Sequence, residues 1–265
     1  MAAHPVTASD RIQSLDVLRG FALLGILLLN ILGFGLHSAG YFNPLIGLGE
    51  TETSRALNLG AWGSVSVLFE GAMRCLFSIL FGAGVVLFTS GGRAKARSLH
   101  YRRNFWLLIF GVFDAYVLLW TGDILMVYAI SGAILYLLRN LSPRTLLIIG
   151  IAGMLLNAAW NAKDNADLMA SYEAYQATQV EGAVPTAEQK ALASDWDSAI
   201  KRHHPTKEEQ EAYIETRTAS YGSAFGQVAE ETMRYESWWF YRYFFDIFSM
   251  MIIGMALFKM GVFTL

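Results

Sequence analysis

Nine polar or charged side chains stand inside or at the rim of apolar sequence, and their types could carry group-transfer or proton chemistry. "RIQSLDVLRGFALLGILLLN" (11–30) places Asp16 and Arg19 three apart and ends on Asn30. Eleven positions of helix are about three turns and roughly 16 Å, so Arg19 and Asn30 share one face, with Asp16 close to the same stripe. Ser14 can cap such a helix, Asp16 suits its positive end, and Arg19 can snorkel to headgroups. Asn30 is left over, either as a helix-packing amide or as a functional one. Glu70 and Arg74 are four apart, as a self-neutralising pair would be. Arg242 and Asp246 repeat that spacing. Asp114, in "GVFDAYVLLWTGDIL", has no basic residue at i±3 or i±4, so it must be neutral, paired across helices, or wet. Arg74 is its expected cross-helix partner. Asp123 stands in the turn that follows, where Asp is ordinary turn chemistry.

The elements that must hold these residues are membrane helices. The chain has 265 residues, 54% hydrophobic and only 16% charged, with mean hydropathy +0.38. Soluble domains sit near 25% charged, so the balance points to a membrane class. Apolar runs give six expected spans, at 15–36, 64–89, 105–121, 124–139, 145–160 and 240–263. The runs are continuous rather than alternating, which argues for helices and against a β-barrel. The first run is long enough to span, so an uncleaved helix is preferred to a signal peptide. Net charge is −2, with no nucleic-acid footprint. Cys75 is the sole cysteine, which excludes an internal disulfide and a thiolate metal site. P-loop, GxSxG, HExxH and GxGxxG motifs are absent.

Orientation follows from basic residues in short loops. Arg11 precedes the first run. "SGGRAKARSLHYRRN" (90–104) holds five Lys or Arg and no acid, and Arg139 and Arg144 flank the turn after the fourth run. These segments are expected on the cytoplasmic side, with the N-terminus inside. Residues 161–239 carry 14 acids against 7 Lys or Arg and are expected outside. Thr186 with Gln189, and Thr206 with Glu209, are capping boxes that predict helices over 187–202 and 207–219. His203 and His204 lie between them, and His37 just past Asn30 could serve as a base. "SWWFYRYFF" (237–245) predicts an interfacial aromatic belt. The expected organisation is a five-helix membrane region over 1–163, an extracytoplasmic helical insertion over 164–236, and a sixth helix over 237–265.

Five stretches together resemble the YeiB-like family of bacterial inner-membrane proteins. They are "LDVLRGFALLGILLLN" (15–30), "YFNP" (41–44), "LFSILFGAGVVL" (76–87), "LLWTGDILMVYAISG" (118–132) and "MMIIGMALFKMGV" (250–262). The first also looks like the start of the wider transmembrane acyltransferase superfamily. That resemblance implies an all-α polytopic protein of the inner membrane that moves an acyl group from a cytoplasmic donor, such as acyl-CoA, to an extracytoplasmic acceptor. Arg19 matches the Arg of the acyltransferase-3 group, but Asn30 stands where that group has a catalytic His. Its mechanism therefore does not carry over. The glucosaminide acetyltransferase branch has Asn at that point and a His at a spacing that His37 does not match. The family often has His where this chain has Asp114. Family members usually extend further, so the resemblance implies a missing C-terminal membrane portion. Asp114, Asn30 and Asp123 are the expected catalytic residues, and Arg19 and Arg103 the expected donor-binding ones. Asp16, Arg19, Glu70, Arg74, Arg242 and Asp246 are the expected structural pairs. No metal and no resident cofactor are expected. The alternatives are a small-solute or proton-coupled transporter using Asp114 and Glu70, or a non-catalytic partner protein.

Overall fold

The computed structural model describes residues 13–47, 51–90, 95–182, 184–238 and 240–263. Arg11, Arg93 and Trp239, which entered the reading of orientation and of the aromatic belt, lie outside them. Every regular element among the described residues is helical. In chain order they are α1 (Gln13–Gly35), a 3-10 turn (Ser38–Tyr41), α2 (Glu52–Phe69), α3 (Ala72–Ser90), α4 (Ala96–Tyr116) and α5 (Leu125–Leu138). Then come α6 (Pro143–Thr178), α7 (Ala187–His203), α8 (Lys207–Ala219), α9 (Tyr221–Met233), a π turn (Arg234–Trp238) and α10 (Phe240–Lys259). Local chemistry sets many of the starts. Thr51 with Ser54, Thr186 with Gln189 and Thr206 with Glu209 form reciprocal capping boxes. Ser142 caps α6 with Pro143 behind it, where the missing N–H costs nothing.

By length and composition three helical stretches can cross a membrane: Gln13–Phe34, Glu52–Ser90 and Pro143–Thr178. A fourth counts if Tyr221–Ser237 and Arg242–Lys259, bent by 48°, act as one. Two of the six expected spans fall short of that standard. α5 has 14 residues, about 21 Å, and the first half of α4 is the polar "ARSLHYRRN".

The boundaries differ from the apolar runs in three places. The second run is broken. Glu70 closes α2 in an extended conformation (ψ 131) and Gly71 takes φ +71 before α3 begins. That left-handed geometry suits glycine. The third run ends early, at Tyr116, and residues 117–124 cross to α5 without a helix. The fifth continues 18 residues beyond its expected end, so the expected boundary between 163 and 164 falls inside α6. No glycine or proline interrupts 154–178, and Lys163 pairs with Asp167 one turn on.

α10 is the hub. It lies along α3, α6 and α5, and its Ile247, Met251, Ile252, Met255 and Ala256 join Val85, Val86, Val127, Tyr128, Leu135 and Leu146 in one buried cluster. α3 and α10 approach backbone to backbone. A Cβ at Gly82 would strike the Met251 carbonyl, and one at Gly254 would strike the Ile79 carbonyl. Small residues are what permit such contact between apolar helices.

Two ion pairs cross between helices. Arg74 reaches Asp246 at 3.1 Å, joining α3 to α10. Arg242 pairs with Asp164 on α6. The expected pairs Glu70–Arg74 and Arg242–Asp246 are therefore corrected. Glu70 sits before the helix break, so its spacing to Arg74 is no longer one turn of one helix. Asp16 and Arg19 do pair, at 3.3 Å, while Arg19 Nη2 donates to the Leu80 carbonyl at 3.0 Å.

Two outcomes follow for stability in detergent. Gly82→Ala or Gly254→Ala must push backbones apart and should cost about 1–3 kcal/mol, read as a lower Tm. Asp246→Asn leaves Arg74 without its counter-charge, and because both groups are partly exposed the cost should be on the order of 1 kcal/mol.

Candidate functional site

Three interruptions of helix meet at one place. The Glu70–Gly71 break, the 117–124 crossing and the π turn at Arg234–Trp238 surround a cavity of about 250 Å³, closed on its remaining side by Ile26, Leu29 and Asn30 of α1. Irregular backbone within apolar helices persists where it lines a cavity or is otherwise satisfied. The wall is mixed. Asn30, Tyr41, Glu70, Arg74, Asp123, Tyr235, Glu236 and Tyr243 stand among Ile124, Val127, Phe240 and Ile247.

Several of the polar groups have an identifiable holder. Asn30 Oδ1 accepts from Tyr41 Oη at 2.6 Å. Burial, with the Glu70 charge second, pushes the Tyr41 hydroxyl up to about 12, so it remains a donor. Asp123 is buried and caps α5, its two oxygens accepting from the Leu125 and Met126 N–H groups at 3.1 and 2.9 Å. Gly111 makes room for this. A Cβ there would press on the Asp123 carboxylate and on the Met126 nitrogen. α4 therefore comes close enough for Asp114, three residues on, to stand beside Asp123. Glu236, also buried, faces both aspartates.

Asp114 is thus not partnered by Arg74, which is committed to Asp246. Its charged neighbours are the carboxyls of Asp123 and Glu236. Among the described residues no Lys, Arg or His forms an ion pair with Asp114, Asp123 or Glu236. Nor do three His, Cys, Asp or Glu side chains there form a metal-ligand set.

The expected catalytic residues Asn30 and Asp123 line this cavity, and Asp114 stands behind Asp123. The expected donor-binding pair lies elsewhere. Arg19 is about 16 Å back along α1 from Asn30. Arg103 places its guanidinium over the Phe88 ring at 5.3 Å, near enough to Arg19 for their charges to repel. Arg242 and Asp246 hold α10 in place and are not part of the cavity lining.

Two features escaped sequence reasoning. Glu236 was the last residue of the expected insertion, so its place beside the carboxyl pair was invisible to a reading by segments. His100 and Asn104 form a buried network. His100 Nε2 lies 2.8 Å from both the Gly132 carbonyl and Asn104 Nδ2. Their i, i+4 spacing was a usable signal, lost because the basic stretch 90–104 was read as a loop. The side chains of Trp238 and Tyr241 lie outside what the structure describes, so the aromatic belt rests on Phe240 and Tyr243–Phe245.

No family model matches the chain, and no solved structure matches it. It is similar to Uncharacterized protein YxaH of Bacillus subtilis (strain 168), with 34% identity over 158 residues, 58% of this chain and 39% of that protein. It is also similar to Uncharacterized protein YeiB of Escherichia coli (strain K12), 35% identical over 134 residues, 51% of this chain and 32% of that one. A 39.9 kDa protein from the amylase 3' region of Bacillus acidopullulyticus is 31% identical over 168 residues, 60% of this chain and 43% of that one. The chain thus spans well under half the length of the curated relatives it matches, and its likeness is to the YeiB and YxaH proteins.

Proposed function

We propose that the chain is part of an acyltransferase-like protein of the bacterial inner membrane. It has six spans formed by α1, α2 with α3, α4, α5, α6 and α10, and its N-terminus lies in the cytoplasm. The Lys and Arg bias of the short loops supports this orientation, which turns the cavity toward the outside. The observation that carries the reading is the Asp114–Asp123 carboxyl pair, unneutralised by any cation among the described residues and set in the wall of a cavity. A carboxylate backed by a second carboxyl is suited to receive a proton. In this reading an acceptor hydroxyl enters the cavity and gives its proton to Asp123. Its oxygen then bonds to the acyl carbonyl carbon, and the donor's thiolate leaves. Asn30 supplies amide N–H groups to the carbonyl oxygen. Arg19 and Arg103, at the other end of the bundle, hold the phosphates of an acyl donor such as acyl-CoA. The lipid bilayer is the constant partner.

A second reading is favoured by a separate observation. Two interrupted helices, at Glu70–Gly71 and at Arg234–Trp238, flank the same cavity. Discontinuous helices around a polar cavity are how secondary transporters hold solutes and coupling ions. Under it Glu70, Asp123 and Glu236 bind and titrate, and Asp114 buffers.

Asp123→Asn separates these roles from structure, since Asn caps a helix nearly as well as Asp. In membranes supplied with a labelled acyl donor and extracted envelope acceptors, transfer should fall about 100-fold or more with the Tm little changed. Undiminished transfer would remove Asp123 as the base. Transfer absent from the wild type, together with pH-driven solute flux in proteoliposomes, would replace the first reading by the second. For topology, Lys201→Cys in a Cys75→Ser background should react with an impermeant maleimide from the periplasm. Reaction only after the inner membrane is permeabilised would reverse the orientation.

A further inference from the structure

α9 carries apolar side chains where a helix in water would carry polar ones. Tyr221, Phe225 and Met233 follow one side of it at i, i+4 and i+12, and all three are exposed. The side turned to the protein holds the buried Val228 and Thr232, and Gln227, whose Nε2 donates to the Tyr213 carbonyl of α8 at 3.4 Å. Glu230 and Arg234, paired at 3.4 Å, border the exposed apolar stripe on one edge. A solvated helix turns its apolar stripe inward, so a stripe turned outward calls for an apolar neighbour.

Where α9 is fastened says which neighbour. Tyr221 Oη donates to the Val117 carbonyl at 2.9 Å, and past the other end of the helix Ser237 Oγ lies 2.9 Å from Tyr116 Oη. Both ties are to the end of α4. Phe113, Val117 and Leu118 there are exposed apolar side chains, so the stripe of α9 continues the surface that the six-span reading turns to lipid. Depth follows from length. With Arg103 at the inner headgroups, Val117 is 14 positions on, about 21 Å along the helix. α5, of 14 residues, returns over the same distance. A hydrocarbon core of about 30 Å leaves the α4–α5 hairpin about 9 Å short of the outer edge. The point that holds α9 is at that depth. Tyr221–Ser237 and Arg242–Lys259 together have the length and composition of one span, bent by 48°.

We propose that α9 is the outer-leaflet segment of the sixth span: it lies over the short α4–α5 hairpin with Tyr221, Phe225 and Met233 against lipid acyl chains and with Glu230 and Arg234 toward the headgroups. The extramembrane insertion then ends at Ser220 and not at 236. The partner is the hydrocarbon rather than an anionic headgroup, since Glu230 and Arg234 neutralise each other. The π turn that follows α9 carries Tyr235 and Glu236 into the cavity wall, so one segment faces acyl chains and lines the cavity. The inference rests on the membrane reading above and not on which chemistry the cavity performs.

The test places spin labels one at a time in the whole chain, in nanodiscs and in a Cys75→Ser background. Phe225→Cys and Met233→Cys report on α9, Ile109→Cys on the lipid face of α4 and Glu215→Cys on α8, all exposed positions. Power saturation should show both α9 labels colliding with molecular oxygen in preference to a water-soluble nickel chelate, as the Ile109 label does. Their depth should be roughly 5–10 Å below the headgroup boundary. The Glu215 label should show the reverse preference. α9 labels that behave like that of Glu215, while the Ile109 label stays in lipid, would overturn the proposal and leave the spans standing. α9 labels shielded from both reagents would mean a protein neighbour and would overturn it as well. An Ile109 label in water would remove the membrane reading and this inference with it.

Discussion

α3 and α10 touch through bare backbone at Gly82 and Gly254, and much of the remaining geometry is a consequence. With no side chain between them the two axes are held close. That brings Arg74 to Asp246 and lets α10 fill the space between α3, α5 and α6. It also sets where the first turn of α10 begins, and so where the π turn carries Glu236 toward Asp123. The polar site is thus built one helical level above this close crossing. Apolar helices in lipid gain little from burying more apolar surface, so close van der Waals contact is what orders them.

Three carboxyls gathered at one point run against that economy. A buried carboxylate is expensive, and a second beside it raises the cost. The fold lowers it without a counter-cation. The start of α5 offers Asp123 two N–H donors and the positive end of its dipole. A salt bridge would have been a cheaper structural solution, and Arg74 is near enough to the cavity to suggest one, yet its charge goes to Asp246.

The helical class, the membrane-like apolar runs and the two capped helices at 187 and 207 were legible because each rests on local pattern. Hydropathy records composition along a segment, and capping boxes record side chains three residues apart. What was not legible depends on breaks and on neighbours. "FEGAM" reads as an uninterrupted apolar run, yet Gly71 adopts a left-handed conformation there and separates Glu70 from Arg74. The i, i+4 spacing of Arg242 and Asp246 is real, but both side chains find better partners on α6 and α3. Asp114 was recognisable as unexplained, since nothing on its own helix could pair with it. That its neighbour would be another acid required knowing that Gly111 lets α4 approach α5.

α6 carries a mechanical consequence. Thirty-six residues without a break make a rod of about 54 Å, nearly twice the hydrocarbon thickness of a bilayer. Its lower half packs on α10, where Gly150 and Gly153 admit Ser249 and Ile253 closely, and its upper half bears α7. A helix of that length behaves as a lever with its fulcrum in the bundle. A tilt of a few degrees at the α10 contact becomes a displacement of several ångström at Thr178, by the rise of the helix alone. Any tilt imposed at the α10 contact would therefore be amplified where α7 packs.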